Sequence, residues 1–150
     1  MKKSRKPNAF DADAVVIGAG AAGLVSSIIF AGGHGEVVLI EQDKMGGDCL
    51  NTGCIPSKSL IRSARLMFDL NRASEFGIEV GEKKLNFGKV MERIEKVIKS
   101  IEPHDSPERL ASLGVKCIKG SAKIESPYLK WLNIHLLSNV WYVLTCNICN

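Results

Sequence analysis

The apolar positions of the chain first gather in a short run at residues 13–17, which opens on Asp13, is rich in β-branched side chains and is closed by glycine. That is the pattern of a strand buried in a parallel sheet. After Gly18-Ala19-Gly20-Ala21-Ala22-Gly23, an apolar stretch over residues 24–31 predicts a helix, which Gly32, Gly33 and Gly35 end. A second buried strand at 37–40 closes with Glu41. Strand, helix and strand in that order predict a βαβ unit of the α/β class.

Polar and glycine-rich residues lead from there to Cys49-Leu50-Asn51-Thr52-Gly53-Cys54-Ile55-Pro56-Ser57-Lys58, and helical periodicity resumes over residues 60–70. Proline is tolerated early in a helix because the first N–H groups have no intrahelical partners, so Pro56 places Cys54 close to a helix N-terminus. Val90, Ile94, Val97, Ile98 and Ile101 recur at helical spacing between charges and predict an amphipathic helix over about residues 87–101. Pro103 breaks it, and Ser106-Pro107-Glu108 opens a short helix leading to Leu113. Gly114 then introduces Val115-Lys116-Cys117-Ile118-Lys119, which alternates as a half-exposed strand should. No internal repeat is visible.

From Pro127 the pattern is lost. All 16 Asp and Glu residues and all 14 glycines precede that point, while both Trp and both Tyr follow it. The apolar residues of the tail keep no steady period, and Asn133, His135, Ser138 and Asn139 interrupt the roughly twenty clean apolar positions that a membrane helix needs. Residues 127–150 therefore read as a segment unrelated to the preceding domain, such as a shifted reading frame or the new ending of a truncated gene.

Composition adds bounds. At 150 residues and 45% hydrophobic content, the chain has the size of one compact domain with a modest core. The net charge of +4 is concentrated in Lys2, Lys3, Arg5 and Lys6, a run without interleaved aromatic residues that reads as a solvated, disordered basic tail over residues 1–12. Nucleic acid is thus not an expected partner. Pro7, Asn8, Asp11 and Asp13 stand where the apolar core of a signal peptide would lie, so the expected location is cytoplasmic.

A lone Gly-x-Gly-x-x-Gly is a weak signal, but here it follows a strand, opens a helix, and is followed by Glu41 at the end of the second strand. In that setting Gly18 permits the tight turn, Gly20 lets a diphosphate approach the backbone, and Gly23 lets helix and strand pack closely. The helix N-terminus, with Ala21 and Ala22, offers free N–H donors and partial positive charge to the phosphates. Glu41 would accept hydrogen bonds from ribose hydroxyls, which argues against a 2′-phosphate at this site.

Five cysteines in a chain expected to be cytosolic read as reactive, metal-binding or buried before they read as a structural disulfide framework. Cys49 and Cys54 enclose four residues, which does not match paired Cys-x-x-Cys zinc knuckles, and no partner ligands lie nearby. A redox pair remains open, with the Cys54 thiolate favoured by the helix N-terminus, and so do two unrelated loop thiols. Cys117 reads as a small core residue. Cys146 and Cys149 form a Cys-x-x-Cys without a second pair or glycine context, and His34, His104 and His135 have no catalytic spacing. No metal site is expected.

The stretch Gly46-Gly47-Asp48-Cys49-Leu50-Asn51-Thr52-Gly53-Cys54-Ile55-Pro56-Ser57-Lys58 resembles the redox-disulfide signature of the class I pyridine nucleotide-disulfide oxidoreductases, which include dihydrolipoamide dehydrogenase, glutathione reductase and mercuric reductase. The resemblance covers about residues 13–126 and implies a partial, Rossmann-like FAD-binding domain carrying a helical insertion. It implies FAD with its diphosphate at Gly18, Gly20, Ala21, Ala22 and Gly23, its ribose at Glu41, and further flavin contacts at Gly47, Asp48 and Lys58. Asp48 stands where many members have threonine. Cys54 matches the thiol beside the flavin, Cys49 the interchange thiol that attacks substrate, and Lys58 the lysine near the flavin's reactive nitrogen.

The same resemblance implies NAD(P)H as electron donor, a homodimer, and a small thiol, disulfide or metal ion as substrate. The 150 residues hold no second Gly-x-Gly-x-x-Gly and no His-x-x-x-x-Glu of the kind the family uses as acid and base. The chain is accordingly expected to be a truncated part of such an enzyme, inactive by itself, with the nicotinamide site and the dimer-interface domain absent.

Overall fold

The structure, a computed structural model, describes residues 12–122 and the strand at 140–145. The basic N-terminal run and the residues on either side of that last strand, among them His135, Cys146 and Cys149, lie outside the described residues. The chain divides into two compact units, one formed by Met1–Gly47 with Pro103–Asn150 and the other by Asp48–Glu102.

The first unit is built on strands β1 (Ala12–Ile17), β2 (Val37–Glu41), β3 (Val115–Lys119) and β4 (Val140–Thr145), all parallel, in the order β3-β2-β1-β4. Helix α1 (Ala21–Gly32) links β1 to β2, giving the βαβ unit that the apolar pattern predicts. It begins three residues before the apolar stretch because Gly20 is its N-cap, and Ala21 and Ala22, good helix formers, supply the first turn. The sequence reading missed β4. Its Val-Trp-Tyr-Val-Leu-Thr run is rich in strand-forming types, and it pairs along β1 from Ala12↔Val140 to Ile17↔Thr145.

Two apolar clusters hold this unit. Ala14, Val16, Leu39 and Val115 pack with Leu24 of α1 and with Leu110 of α5 (Pro107–Ser112), and Cys117 lies against the same cluster. Val15, Val38 and Ile40 form a second cluster, against which Ile17 and Ile118 pack. Residues alternate between clusters over 14–17 of β1 and 37–40 of β2, so these segments are covered on both faces and read in sequence as apolar runs, while Asp13 of β1 is exposed.

The second unit holds most of the short helix α2 (Gly47–Asn51), α3 (Cys54–Asn71), a 3-10 turn at Ala73–Phe76, and α4 (Phe87–Ile101). The bounds of α4 coincide with the predicted amphipathic stretch, and Asn86 caps it by accepting the Lys89 N–H at 3.1 Å. Polar contacts join the helices. Arg93 of α4 donates to the Ser59 carbonyl of α3 at 3.2 Å, and Lys83 donates to the Leu70 carbonyl at 3.0 Å, where the last turn of α3 leaves acceptors unmatched. Among the described residues, no helix is long and apolar enough to cross a membrane.

Candidate functional site: a glycine turn and a cysteine pair

In the sheet unit, the chain leaves the carboxyl end of β1 and turns at once into α1. Gly18, with φ 96°, sits in the left-handed region, and its N–H still bonds the Ile40 carbonyl at 2.8 Å. Gly23 lies directly over the turn: a Cβ there would meet the Gly18 carbonyl oxygen at 1.8 Å. Helix and turn can approach this closely only with hydrogen at that position.

Gly20, the N-cap of α1, makes no side-chain capping bond, and the first helical turn carries no acidic residue. A Cβ on Gly20 would meet nothing within 4 Å, so the turn is open at this point. An uncapped helix N-terminus behind an open glycine turn offers unmatched N–H groups to an anion, and the residues present fit a dinucleotide diphosphate. The location agrees: the strand order 3-2-1-4 reverses at β1, and nucleotides bind such sheets at the carboxyl ends of the strands where the order reverses.

Glu41 ends β2 beside this turn. Its Oε2 accepts the Ala19 N–H at 2.6 Å and its Oε1 accepts the Asp43 N–H at 2.6 Å. Gly47 also reaches the turn. With φ 54°, it comes so close that a Cβ would lie 2.8 Å from Gly20 Cα. Gly18, Gly20, Ala21, Ala22, Gly23, Glu41 and Gly47 thus all lie on or beside one turn of the sheet unit, with Ala21 and Ala22 exposed at the start of α1.

The helical unit holds Asp48, Cys49, Cys54 and Lys58. Asp48 accepts from the Thr52 hydroxyl at 3.2 Å through Oδ1, and its carbonyl takes the Thr52 and Gly53 N–H groups at 3.0 and 2.5 Å. These bonds fold the chain back at Gly53, where a Cβ would lie 3.0 Å from the Asp48 carbonyl oxygen and 3.8 Å from Cys49 Cα. The fold-back brings Gly53, the residue before Cys54, against Cys49. Cys54 is the first residue of α3, as Pro56 predicts, and is an exposed, free thiol, while Cys49 is half-buried. Lys58, also exposed, lies one helical turn beyond Cys54 on the same side of α3.

Cys117 differs in kind. It lies half-buried on β3, and burial, with a smaller contribution from Glu108, pushes its thiol above the ordinary range and favours the protonated, unreactive form.

The sequence reading named Gly18, Gly20, Ala21, Ala22, Gly23, Glu41, Gly47, Asp48, Cys49, Cys54 and Lys58 as candidates; it did not anticipate the backbone bonds of Glu41 to Ala19 and Asp43 or the part played by Lys119, whose Nζ donates to the Asp43 carbonyl. Neither leaves a spacing signal, since each depends on where a main-chain atom lands.

A parallel sheet ordered 3-2-1-4, with an open glycine turn after its first strand, defines a Rossmann-like α/β domain, here followed by a cysteine pair of which Cys54 opens a long helix. Residues 12–125 match the family model described as pyridine nucleotide-disulphide oxidoreductase, and the chain belongs to that family. It is 40% identical over 89 residues to dihydrolipoyl dehydrogenase of Chlamydia muridarum, covering 59% of this chain and 19% of that protein. It is also 40% identical over 121 residues to dihydrolipoamide dehydrogenase of Chaetomium thermophilum, covering 79% and 24%. Among solved structures it resembles the HOCl-induced flavoprotein disulfide reductase RclA from Escherichia coli, with a TM-score of 0.68, 25% identity, and coverage of 89% of this chain and 27% of that one. The chain thus spans about a fifth to a quarter of the length of these relatives.

Proposed function

We propose that this chain supplies the flavin-binding and thiol-exchange part of an FAD-dependent, NAD(P)H-linked dithiol–disulfide oxidoreductase, with electrons passing from flavin to a Cys49–Cys54 disulfide. The carrying observation is the cysteine pair itself: Gly53 folds the chain back toward Cys49 and leaves Cys54 exposed at the first position of α3, with Lys58 one turn later.

Bound FAD would supply the two-electron redox chemistry. Around it, the α1 N-terminus with Gly18, Gly20, Ala21, Ala22 and Gly23 holds the diphosphate, Glu41 receives the ribose hydroxyls, and Gly47, Asp48 and Lys58 contact the flavin portion. Lys58 contributes positive charge beside Cys54. Two electrons and two protons convert the Cys49–Cys54 disulfide to two thiols. Cys49 then attacks a small disulfide substrate, releasing one substrate thiol and forming a mixed disulfide, which Cys54 resolves to release the second thiol and restore the Cys49–Cys54 bond. A dithiol substrate runs the same exchange in reverse, and a metal-ion substrate is held by the two thiolates. The assembled enzyme is cytoplasmic and homodimeric.

A second reading concerns the isolated 150-residue chain. It carries one Gly-x-Gly-x-x-Gly, so NAD(P)H has no second turn of that kind to bind, and the chain alone would hold FAD weakly or not at all and turn nothing over. Visible absorbance of the purified chain, followed by addition of NADH or NADPH, separates the readings. Flavin bands that persist without bleaching support binding without turnover. Bleaching by NAD(P)H would overturn the second reading, and a colourless protein that takes up no added FAD would overturn the first for the isolated chain.

A further inference from the structure

The carboxylate of Glu41 is engaged before any nucleotide is considered. Oε2 accepts the N–H of Ala19, the residue between the first two glycines of the turn, at 2.6 Å. Ala19 is fully buried, so this N–H sits where water cannot replace a lost partner. Oε1 accepts the Asp43 N–H at 2.6 Å. The same short loop is held from β3, where the Gly120 N–H bonds the Glu41 carbonyl at 2.8 Å and Lys119 Nζ donates to the Asp43 carbonyl. Glu41 therefore joins the turn after β1 to a loop that β3 holds in place.

We propose that Glu41 is a positioning residue for the diphosphate turn, holding Ala19 and with it the path from Gly18 to Gly20 in the shape that receives phosphate. This role is additional to any contact with ribose, and it rests on the reading of the turn as the FAD site. The two roles are compatible. An ionised carboxylate offers about four acceptor positions, and the Ala19 and Asp43 bonds use one on each oxygen. Ribose hydroxyls meet the positions left over, so nucleotide binding does not require release of the turn.

The two roles differ in what they do to ligands of different length. A residue that touches only ribose affects adenosine and ADP by the same factor, because both carry the ribose. A residue that also shapes the turn affects ADP more, because only ADP places phosphates there.

The experiment compares adenosine, ADP and FAD affinities of the wild-type chain, Glu41→Ala and Glu41→Gln, together with amide hydrogen exchange at Ala19 in nucleotide-free protein. In Glu41→Ala, the loss of ADP affinity should exceed the loss of adenosine affinity by about tenfold, which corresponds to about 1.4 kcal/mol. Exchange at Ala19 should accelerate without ligand, while the Val38 amide in the sheet keeps its protection. Glu41→Gln retains one acceptor oxygen and should fall between the two. It also serves as the folded comparison if the alanine variant loses the sheet. Equal losses for adenosine and ADP, or unchanged exchange at Ala19, would overturn the proposal. A wild-type chain that binds neither ADP nor FAD would overturn the FAD reading instead, and the exchange arm would still decide whether Glu41 holds the turn.

Discussion

Twelve of the fifteen buried apolar side chains among the described residues belong to the sheet unit, whereas ten of the thirteen exposed large ones lie in residues 48–102. The glycine turn is shaped by a packed parallel sheet. The cysteine pair is held instead by local bonds: the carbonyl of Asp48, the fold-back at Gly53 and the first turn of α3. In the helical unit, Leu50, Ala73 and Ile94 are the buried apolar residues described, while Phe76 is 72% exposed and Ile61 63%. The proposed nucleotide site thus rests on core packing, and the proposed thiol chemistry on a segment with little core of its own. Segments with few buried contacts open at lower free energy than packed strands, so the helical unit is expected to open before the sheet does.

The largest effect expected from this contrast is at Gly23. Replacing it with alanine places a methyl group 1.8 Å from the Gly18 carbonyl oxygen, so the turn must move or α1 must lift. A loss of about 3 kcal/mol or more is expected, read by denaturant unfolding, together with loss of FAD uptake. Next comes a matched pair of truncations. Leu110→Ala, at a position with 0% exposure, should cost about 2–5 kcal/mol. Leu66→Ala, at 50% exposure, should stay within about 0.5 kcal/mol. Equal costs would break the comparison between the two units.

A smaller effect is expected at Asn86, whose side chain caps α4. Asn86→Ala should cost about 1 kcal/mol, with helix loss by circular dichroism confined to the helical unit. Thiol labelling of the reduced protein under native conditions should modify Cys54 well before Cys117, which is half-buried and held toward its protonated form. Labelling of Cys117 first would contradict the placement of β3.

The smallest effect concerns pH. Burial holds the Asp105 carboxyl above its ordinary range, against the opposing pull of Arg109 and His104. The folded protein therefore binds this proton more tightly than the unfolded chain does. Stability should fall as pH rises from the ordinary carboxylate value through the raised one, and Asp105→Asn should flatten that part of the profile. An unchanged slope would remove Asp105 from the account.

Where packing dictates structure, the sequence was readable. Residues 14–17 of β1 and 37–40 of β2 are covered on both faces and show it as apolar runs, and α4 shows its bounds through its period and the Asn86 cap. The candidate site residues stand out for a related reason: Gly18, Gly23 and Gly47 stand where backbone meets backbone, and Cys54 and Lys58 keep the spacing of one helical turn. Less could be read of α2, whose five residues are too few to show a period. Strand β4 escaped because the stretch around it carries no alternation or turn signal, yet Val140–Thr145 extends the sheet beside β1. The bonds from Glu41 to Ala19 and Asp43 were hidden because main-chain donors have no letter in a sequence.

The most direct test of the central claim uses the oxidised chain loaded with FAD and freed of excess cofactor by gel filtration. Light-driven reduction of the bound flavin in the presence of EDTA, followed by alkylation and peptide mass analysis, counts the thiols that appear. The account predicts two new alkylated cysteines, Cys49 and Cys54, with an FAD-free control unchanged. Reduction of the flavin without new thiols at these two positions would contradict it.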